Sequence, residues 1–306
     1  MLEIRPADSD SEIQAFLDLV AVLYPDRVLT LEELRGFMAA LPDSQHFLAL
    51  EGAEVVGAGV ARVEPRIRDR KGVVGWLLVD RPARRSGVGS ALYGAISDWA
   101  RERGFEWLEG SVRDDEPESI AWAESRGFAE DRRESGLELD LTTIDPPDVA
   151  APEGIEIVSW AERPELARGL YEVACEAYPD VPGDEDDPME PFEDWLAHDM
   201  RGPSDPPEAT FVALAGDEVV GYAKFSLPKA LPAVAWHDLT GVKRAWRRRG
   251  IAGALKRAEI RWAKDAGYEK LVTLNEQRNA PIRKLNERYG YRPAAGRIFV
   301  VGPLAP

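Results

Sequence analysis

Ile13, Phe16, Leu17 and Val20 recur at helical spacing and predict a helix over residues 11–24, behind a first strand at 2–5. Leu31–Ala40 reads as a shorter helix that Thr30 is placed to cap. Apolar runs at 47–50 and 55–63, split by Gly52, Ala53 and Glu54, predict paired strands. A further strand is expected at 73–79. Val88, Leu92, Ile96 and Trp99 then mark the inner face of a helix over 88–100, which Gly104 ends. A strand at 107–112, a helix at 118–125 and a hairpin over 128–141 close the first half.

The same order returns downstream. Strands are expected at 155–158, 211–214, 219–225, 233–242, 271–274 and 298–301, and helices at 165–177, 251–266 and Ala280–Arg288. Ile251, Leu255, Ala258 and Trp262 give the inner face of the second of these helices, and Asn279 is placed to cap the third. Trp195, Leu196 and Met200 suggest a short helix after the acidic run 184–187. Gly87 and Gly250, Trp99 and Trp262, Gly104 and Gly267, and Gly127 and Gly290 all stand 163 positions apart. Phe47 and Phe211 are 164 apart but Tyr24 and Tyr178 are 154 apart, which places a ten-residue insertion between Tyr178 and Phe211. So many matches at nearly constant offset mark an internal repeat. Pro146, Pro147 and Pro152 make 142–154 a linker between domains expected at 1–144 and 153–306. The fold class that follows is α+β: a mixed sheet with helices on both faces in each half.

Each half carries a basic glycine turn between a strand and a helix. Glycine lets the backbone come close to a bound group. Unpaired amides at a helix start, with arginines beside them, make an anion site. Each turn therefore reads as a cradle for a phosphate-bearing cofactor. Neither the P-loop nor the dinucleotide fingerprint fits, because Gly-Lys-Ser/Thr is absent and Leu92 and Leu255 occupy the last fingerprint position. Both turns fit Arg-x-x-Gly-x-Gly/Ala, which resembles the signature of the GNAT superfamily of acyltransferases. The resemblance covers both halves and implies two tandem GNAT domains that use acetyl-CoA. It implies that the turn amides hold the CoA pyrophosphate and that the strand before them holds the pantetheine arm. In the first half those positions are Val79, Arg84, Arg85, Ser86, Gly87, Val88 and Gly89. In the second they are Leu239, Thr240, Val242, Arg247, Arg248, Arg249, Gly250, Ile251 and Ala252, with Asn279 and Asn286 further on.

Composition narrows the acceptor. The chain has 306 residues, 44% of them hydrophobic, enough for a core in each half. A net charge of −17 argues against nucleic acid or anionic membrane and favours a cationic acceptor such as an amine. Cys175 is the single cysteine, which fits a reducing compartment and reads as a packed thiol. His46, His198 and His237 show no metal-ligand spacing, so no metal is expected. With no apolar run of membrane length and no signal pattern, the expectation is a cytoplasmic protein, monomer or homodimer.

Acetyl transfer to an amine needs a group to take the amine proton, a donor for the carbonyl oxygen and protonation of the leaving thiolate. The resemblance implies a tyrosine for that last proton, four residues before the final Gly-Phe/Tyr. Asn286 stands there in the second half and Ala123 in the first. The first half also lacks the early asparagine that Asn279 supplies in the second. The second half is therefore expected to be the active one, with the first degenerate. Its candidate bases are Asp238 or His237, which strand alternation puts on opposite faces, and Glu276; Asn286 and Tyr289 remain as donors. The acidic stretch 184–193 reads as a solvated loop, or as an arm that draws an amine to the cleft. Tyr24 and Tyr178, each before Pro-Asp, line the acceptor end or simply end their helices. The architecture resembles the mycothiol synthases, in which one half binds cofactor while the other catalyses, although no motif specific to mycothiol chemistry is present. The expected function is acetyl transfer to a primary amine on a small molecule or peptide. The alternatives are a catalytically silent acyl-CoA-binding or regulatory protein, and a self-associating scaffold.

Overall fold

The computed structural model describes residues 1–41, 43–64, 67, 70–182 and 189–306. It has two compact units, 1–133 with 297–306, and 134–296.

The first unit opens with β1 (Leu2–Pro6), α1 (Asp10–Leu23) and α2 (Leu31–Ala40). Both helices begin with capping boxes, Ser9 with Glu12 and Thr30 with Glu33, so the orphan amides at each start are satisfied locally. An antiparallel run follows: β2 (Ser44–Glu51), β3 (Glu54–Arg62) and β4 (Gly72–Val79). α3 (Val88–Glu102) then carries the chain across to β5 (Trp107–Arg113), which runs parallel to β4 as a helical crossover allows. Strand alternation supplies a core on each face. Leu48 and Leu50 join Ile13, Phe16, Leu17 and Leu34 of α1 and α2. Phe47 and Ala49 join Val88, Leu92 and Ile96 of α3. α4 (Pro117–Ser125) follows β5.

The second unit repeats the plan with β7 (Glu156–Ser159), α5 (Ala167–Ala177), α6 (Phe192–His198), β8 (Thr210–Ala215), β9 (Glu218–Ser226), β10 (Val234–Val242), α7 (Ile251–Asp265), β11 (Lys270–Glu276) and α8 (Ala280–Arg288). α6 is the helix expected after the acidic run, and Trp195, Leu196 and Met200 are buried. Residues 184–187 themselves lie outside the described residues, as does Pro188 of the expected acidic arm. Asn279 stands at the N-cap of α8, but its side chain makes no capping bond. Among the described residues no helix is long and apolar enough to cross a membrane.

Two long strands, β6 (Ala129–Asp140) and β12 (Arg292–Pro303), part from the expectation raised by the sequence. The hairpin expected over 128–141 is one strand. Its Gly136 is not a turn residue: a Cβ there would lie 2.1 Å from the Ala295 carbonyl oxygen, so the glycine permits a close backbone approach. Residues 134–140 pair with β11, and residues 297–303 pair with β5. Each half thus supplies the last strand of the other half's sheet, and a division into 1–144 and 153–306 does not match the compact units. Nor is the linker a free spacer. Arg261 Nε donates to the Pro147 carbonyl at 2.9 Å and Lys264 Nζ to the Leu141 carbonyl at 2.6 Å, fixing it along α7.

Candidate active site

The two glycine turns have the same backbone. Arg85 and Gly87 take φ of 68° and 99°, and Arg248 and Gly250 take 62° and 85°. An arginine held in the left-handed region is strained, and its recurrence at the same place marks the turn as built for a purpose. The alternation aims successive amides one way, forming an anion nest. Among the described residues, no protein group accepts from the amides of 85–90 or 248–253. The residues present therefore fit a pyrophosphate. The motif arginines also brace the turn from within. Arg84 and Arg247 each reach back through Nε to the carbonyl that ends the preceding strand, on Val79 at 3.5 Å and Val242 at 2.9 Å. The surroundings of the turns differ. A Cβ at Gly87 would meet nothing within 4 Å, whereas one at Gly250 would touch Pro152 of the linker at 3.5 Å. Asp180 also binds Arg247 at 2.6 Å, and the Arg244 and Arg247 guanidiniums hold its carboxyl down to about 2.

In the first unit the turn leads into an opening between strands. The β4–β5 ladder covers only Gly72–Val74 against Trp107–Glu109, so among the described residues β4 beyond Val74 has no strand partner on that edge. A cavity of about 180 Å³ fills the divergence. It is walled by residues 75–79, by Leu108, Gly110 and Val112, and by Trp122 and Phe128, and it reaches Arg84, Arg85 and Gly89. A second cavity of about 410 Å³ shares Tyr24, Trp76, Leu77, Ser111, Val112 and Ser119 with it. At the junction Tyr24 donates to Glu116 Oε2 at 3.2 Å and Ser119 Oγ donates to the same oxygen at 2.8 Å. Burial, then the Glu116 charge, push the Tyr24 hydroxyl up to about 12, so it stays a donor. Ala123, in the place where the resemblance wants a tyrosine, lies on the wall of the first cavity. The carboxylate and hydroxyls beside it come from residues up to 92 positions apart, which no local motif reveals.

The second unit diverges likewise, with β10 and β11 paired over Val234–Trp236 and Lys270–Val272. There β10 holds an extra residue. In the first unit Gly75, Trp76 and Leu77 pair with Ala61, Val60 and Gly59. In the second His237 pairs with Phe225 and Thr240 with Ala223, leaving Asp238 and Leu239 opposite Lys224. This is a β-bulge. It sets His237 where the first unit has Gly75. The imidazole is buried, with its Nε2 2.6 Å from Lys256 Nζ and 2.5 Å from Glu259 Oε2, and its Nδ1 3.3 Å from the Tyr291 hydroxyl. Burial drives His237 down and Glu259 up, and brings Lys256 down to about 8. At the corresponding repeat positions the first unit has Tyr93, Ile96 and Phe128, which line its first cavity.

The counterpart of the second cavity is crowded as well. Lys224 Nζ lies 3.0 Å from Asp238 and 3.3 Å from both Asp199 and Asp205, while Tyr178 donates to Asp199 at 2.7 Å. Burial by itself lowers Lys224, but Asp238, Asp199 and Asp205 outweigh it and raise it well above its ordinary value. Asp199 and Asp205 belong to the inserted stretch, so the insertion packs against the strands where the first unit is open. Of the four expected catalytic residues, Asp238 is half-exposed and engaged by Lys224. Glu276 accepts from the Arg278 amide at 2.6 Å and its Nε at 2.9 Å. Asn286 is fully buried and donates to Asn275 Oδ1 at 2.7 Å. The Tyr289 hydroxyl takes a bond from Arg257 at 2.7 Å and gives one to the Gly253 carbonyl at 3.1 Å. Each is held by a different partner, and no hydrogen bond joins them.

Comparison with known proteins identifies the family. The acetyltransferase (GNAT) family matches residues 13–128 and 167–291. A mycothiol acetyltransferase of Rhodococcus erythropolis is 24% identical over 292 residues, 94% of this chain and 93% of that protein. A tandem GNAT protein from the clavulanic acid biosynthesis pathway superposes with a TM-score of 0.80 at 21% identity, covering 100% of this chain and 99% of that one. A GCN5-related N-acetyltransferase from Sphaerobacter thermophilus does so with a TM-score of 0.77 at 20% identity, covering 100% and 96%. At such identities the superpositions speak for the fold, and the family match, present once in each half, carries the assignment: this chain is an N-acetyltransferase of the GNAT family, with its domains in tandem.

Proposed function

We propose that this enzyme acetylates a primary amine from acetyl-CoA held in the first unit, in the opening between β4 and β5. The observation that carries this reading is the continuity of the unpaired turn amides, the open β4 edge and the two joined cavities, all in that unit. It reverses the division of labour expected from the sequence, in which the second half was the active one. Bound there, acetyl-CoA supplies a thioester carbonyl. The turn at 85–90 would hold its pyrophosphate, and the open edge of β4 its pantetheine arm. The amine nitrogen would bond to that carbonyl carbon as the C–S bond breaks and CoA leaves as its thiolate, with Glu116 taking the amine proton at its carboxylate, which Tyr24 and Ser119 orient. Tyr24, kept protonated, is the O–H donor at the junction of the cavities.

Gly87→Val tests the cofactor site, because its left-handed φ of 99° is strained for valine. Calorimetry should show acetyl-CoA binding lost in Gly87→Val and kept in Gly250→Val; the reverse would place the transfer in the second unit. That second reading is supported by the unpaired amides of 248–253, with Asp238 as its base. Release of free CoA across a panel of amines should fall about 100-fold or more in Glu116→Gln. Release unchanged in that variant would remove Glu116 from its role.

A further inference from the structure

Although the chain carries a net charge of −17, the wall of the larger cavity in the first unit is cationic. Arg27, Arg62, Arg113 and Arg297 line it, and among the described lining residues Glu116 is the one carboxylate. The four arginines come from the loop after α1, the end of β3, the end of β5 and the C-terminal strand β12. Arg113 is paired with Asp26 at 3.0 Å and Asp115 at 2.8 Å, and Arg62 with Glu64 at 2.5 Å, but none of those acids lines the cavity. Two polar atoms on this wall, Arg62 Nε and His46 Nδ1, are buried and have no hydrogen-bond partner among the described residues. Much of the remaining wall is apolar, with Phe16, Leu34, Phe37 and Met38.

We infer that the acceptor is an amine whose far end is an oxyanion, a carboxylate or a phosphate, on an apolar body. The inference rests on the first unit being the site of transfer. Guanidinium forks match both oxyanions, and such charge-assisted bonds are about twice as strong as neutral ones. An amine that enters past Trp76 meets Glu116 at the junction with the cofactor cavity, so its other end falls among the arginines. Arg297 reaches this wall because the last strand of the chain completes the first unit's sheet, so the acceptor site depends on the C-terminus.

The test uses the full chain with CoA present and two matched pairs of product-like probes, read by calorimetry. The pairs are N-acetyl-L-leucine with N-acetyl-L-leucinamide, and N-acetylphosphoethanolamine with N-acetylethanolamine. The anionic member of at least one pair should bind about tenfold more tightly or better, and the pair that discriminates tells carboxylate from phosphate. Arg62→Gln and Arg297→Gln should each shrink that ratio several-fold while leaving CoA affinity unchanged. Equal binding within both pairs, tighter binding of the neutral members, no binding of any probe, or a ratio that survives both variants would overturn the inference. If the ratio behaves as expected but Gly87→Val still binds acetyl-CoA, the cofactor assignment fails and the oxyanion site stands.

Discussion

His46 shows how a single residue ties stability to acidity. Its ring packs edge-on to Phe16, with centroids 5.0 Å apart, and it lines the larger cavity. Burial, then the charges of Arg62 and Arg35, lower its pKa from 6.5 to about 4. The folded form therefore holds a neutral ring where the unfolded chain would bind a proton. The stability this represents is complete above pH 6.5 and is lost as the pH falls toward 4, where the folded state takes up the proton too. The gap corresponds to roughly 3 kcal/mol at most. Subtracting the stability curve of His46→Phe from that of the wild type should isolate this slope; parallel curves between those pH values would show that the imidazole is not the cause. Arg85 makes the complementary point about backbone, since its left-handed φ of 68° carries a strain that glycine would not incur. Arg85→Gly should be neutral or stabilising by about 1 kcal/mol in thermal unfolding, and a clear loss would mean that the side chain holds the turn.

Among the elements, the bulge in β10 and the insertion before β8 together bring carboxylates onto Lys224 in the second unit. The extra residue in β10 brings Asp238 to Lys224, and the insertion adds Asp199 and Asp205. Burial already raises both inserted carboxyls, and the Lys224 charge opposes that rise. Lys224→Met should thus cost about 3–5 kcal/mol at neutral pH by leaving buried carboxylates uncompensated. Because their folded pKa values, already raised, would then lie further above the unfolded ones, the deficit should narrow as the pH falls and they are protonated. Chemical denaturation at pH 7 and pH 5 measures this; a deficit that does not change with pH would argue for lost packing rather than unpaired charge.

At the scale of the whole molecule, the exchanged strands decide what can fold alone. Residues 297–306 give β5 its partner, accept the Tyr93 hydroxyl at the Pro303 carbonyl at 2.7 Å, and place the Ala305 amide 2.8 Å from Ser97 Oγ. Ending the chain at Gly296 should lower or abolish the melting transition of the first unit while that of the second persists, as followed by calorimetry. Fragments 1–144 and 153–306 made separately should be poorly folded, because each retains one strand that belongs to the other's sheet. A stable, cooperatively melting 1–144 fragment would contradict the exchange.

What the sequence determined by itself is what local spacing encodes. Two copies at nearly constant offset stand in the sequence itself, and the capping of α2, the inner faces of α3 and α7, and a glycine opening each of those two helices follow from interactions within a few residues. The tertiary structure alone decided what stands beside each turn. One extra residue in β10 is invisible as a pattern, yet it turns the place of Gly75 into that of a buried His237. The Glu116–Tyr24 contact and the arrival of Arg297 join residues far apart in the chain, and nothing local tells β6 or β12 which sheet it completes. Pairing across such separations is set by the fit of whole faces and edges, a property of the folded chain rather than of any stretch within it.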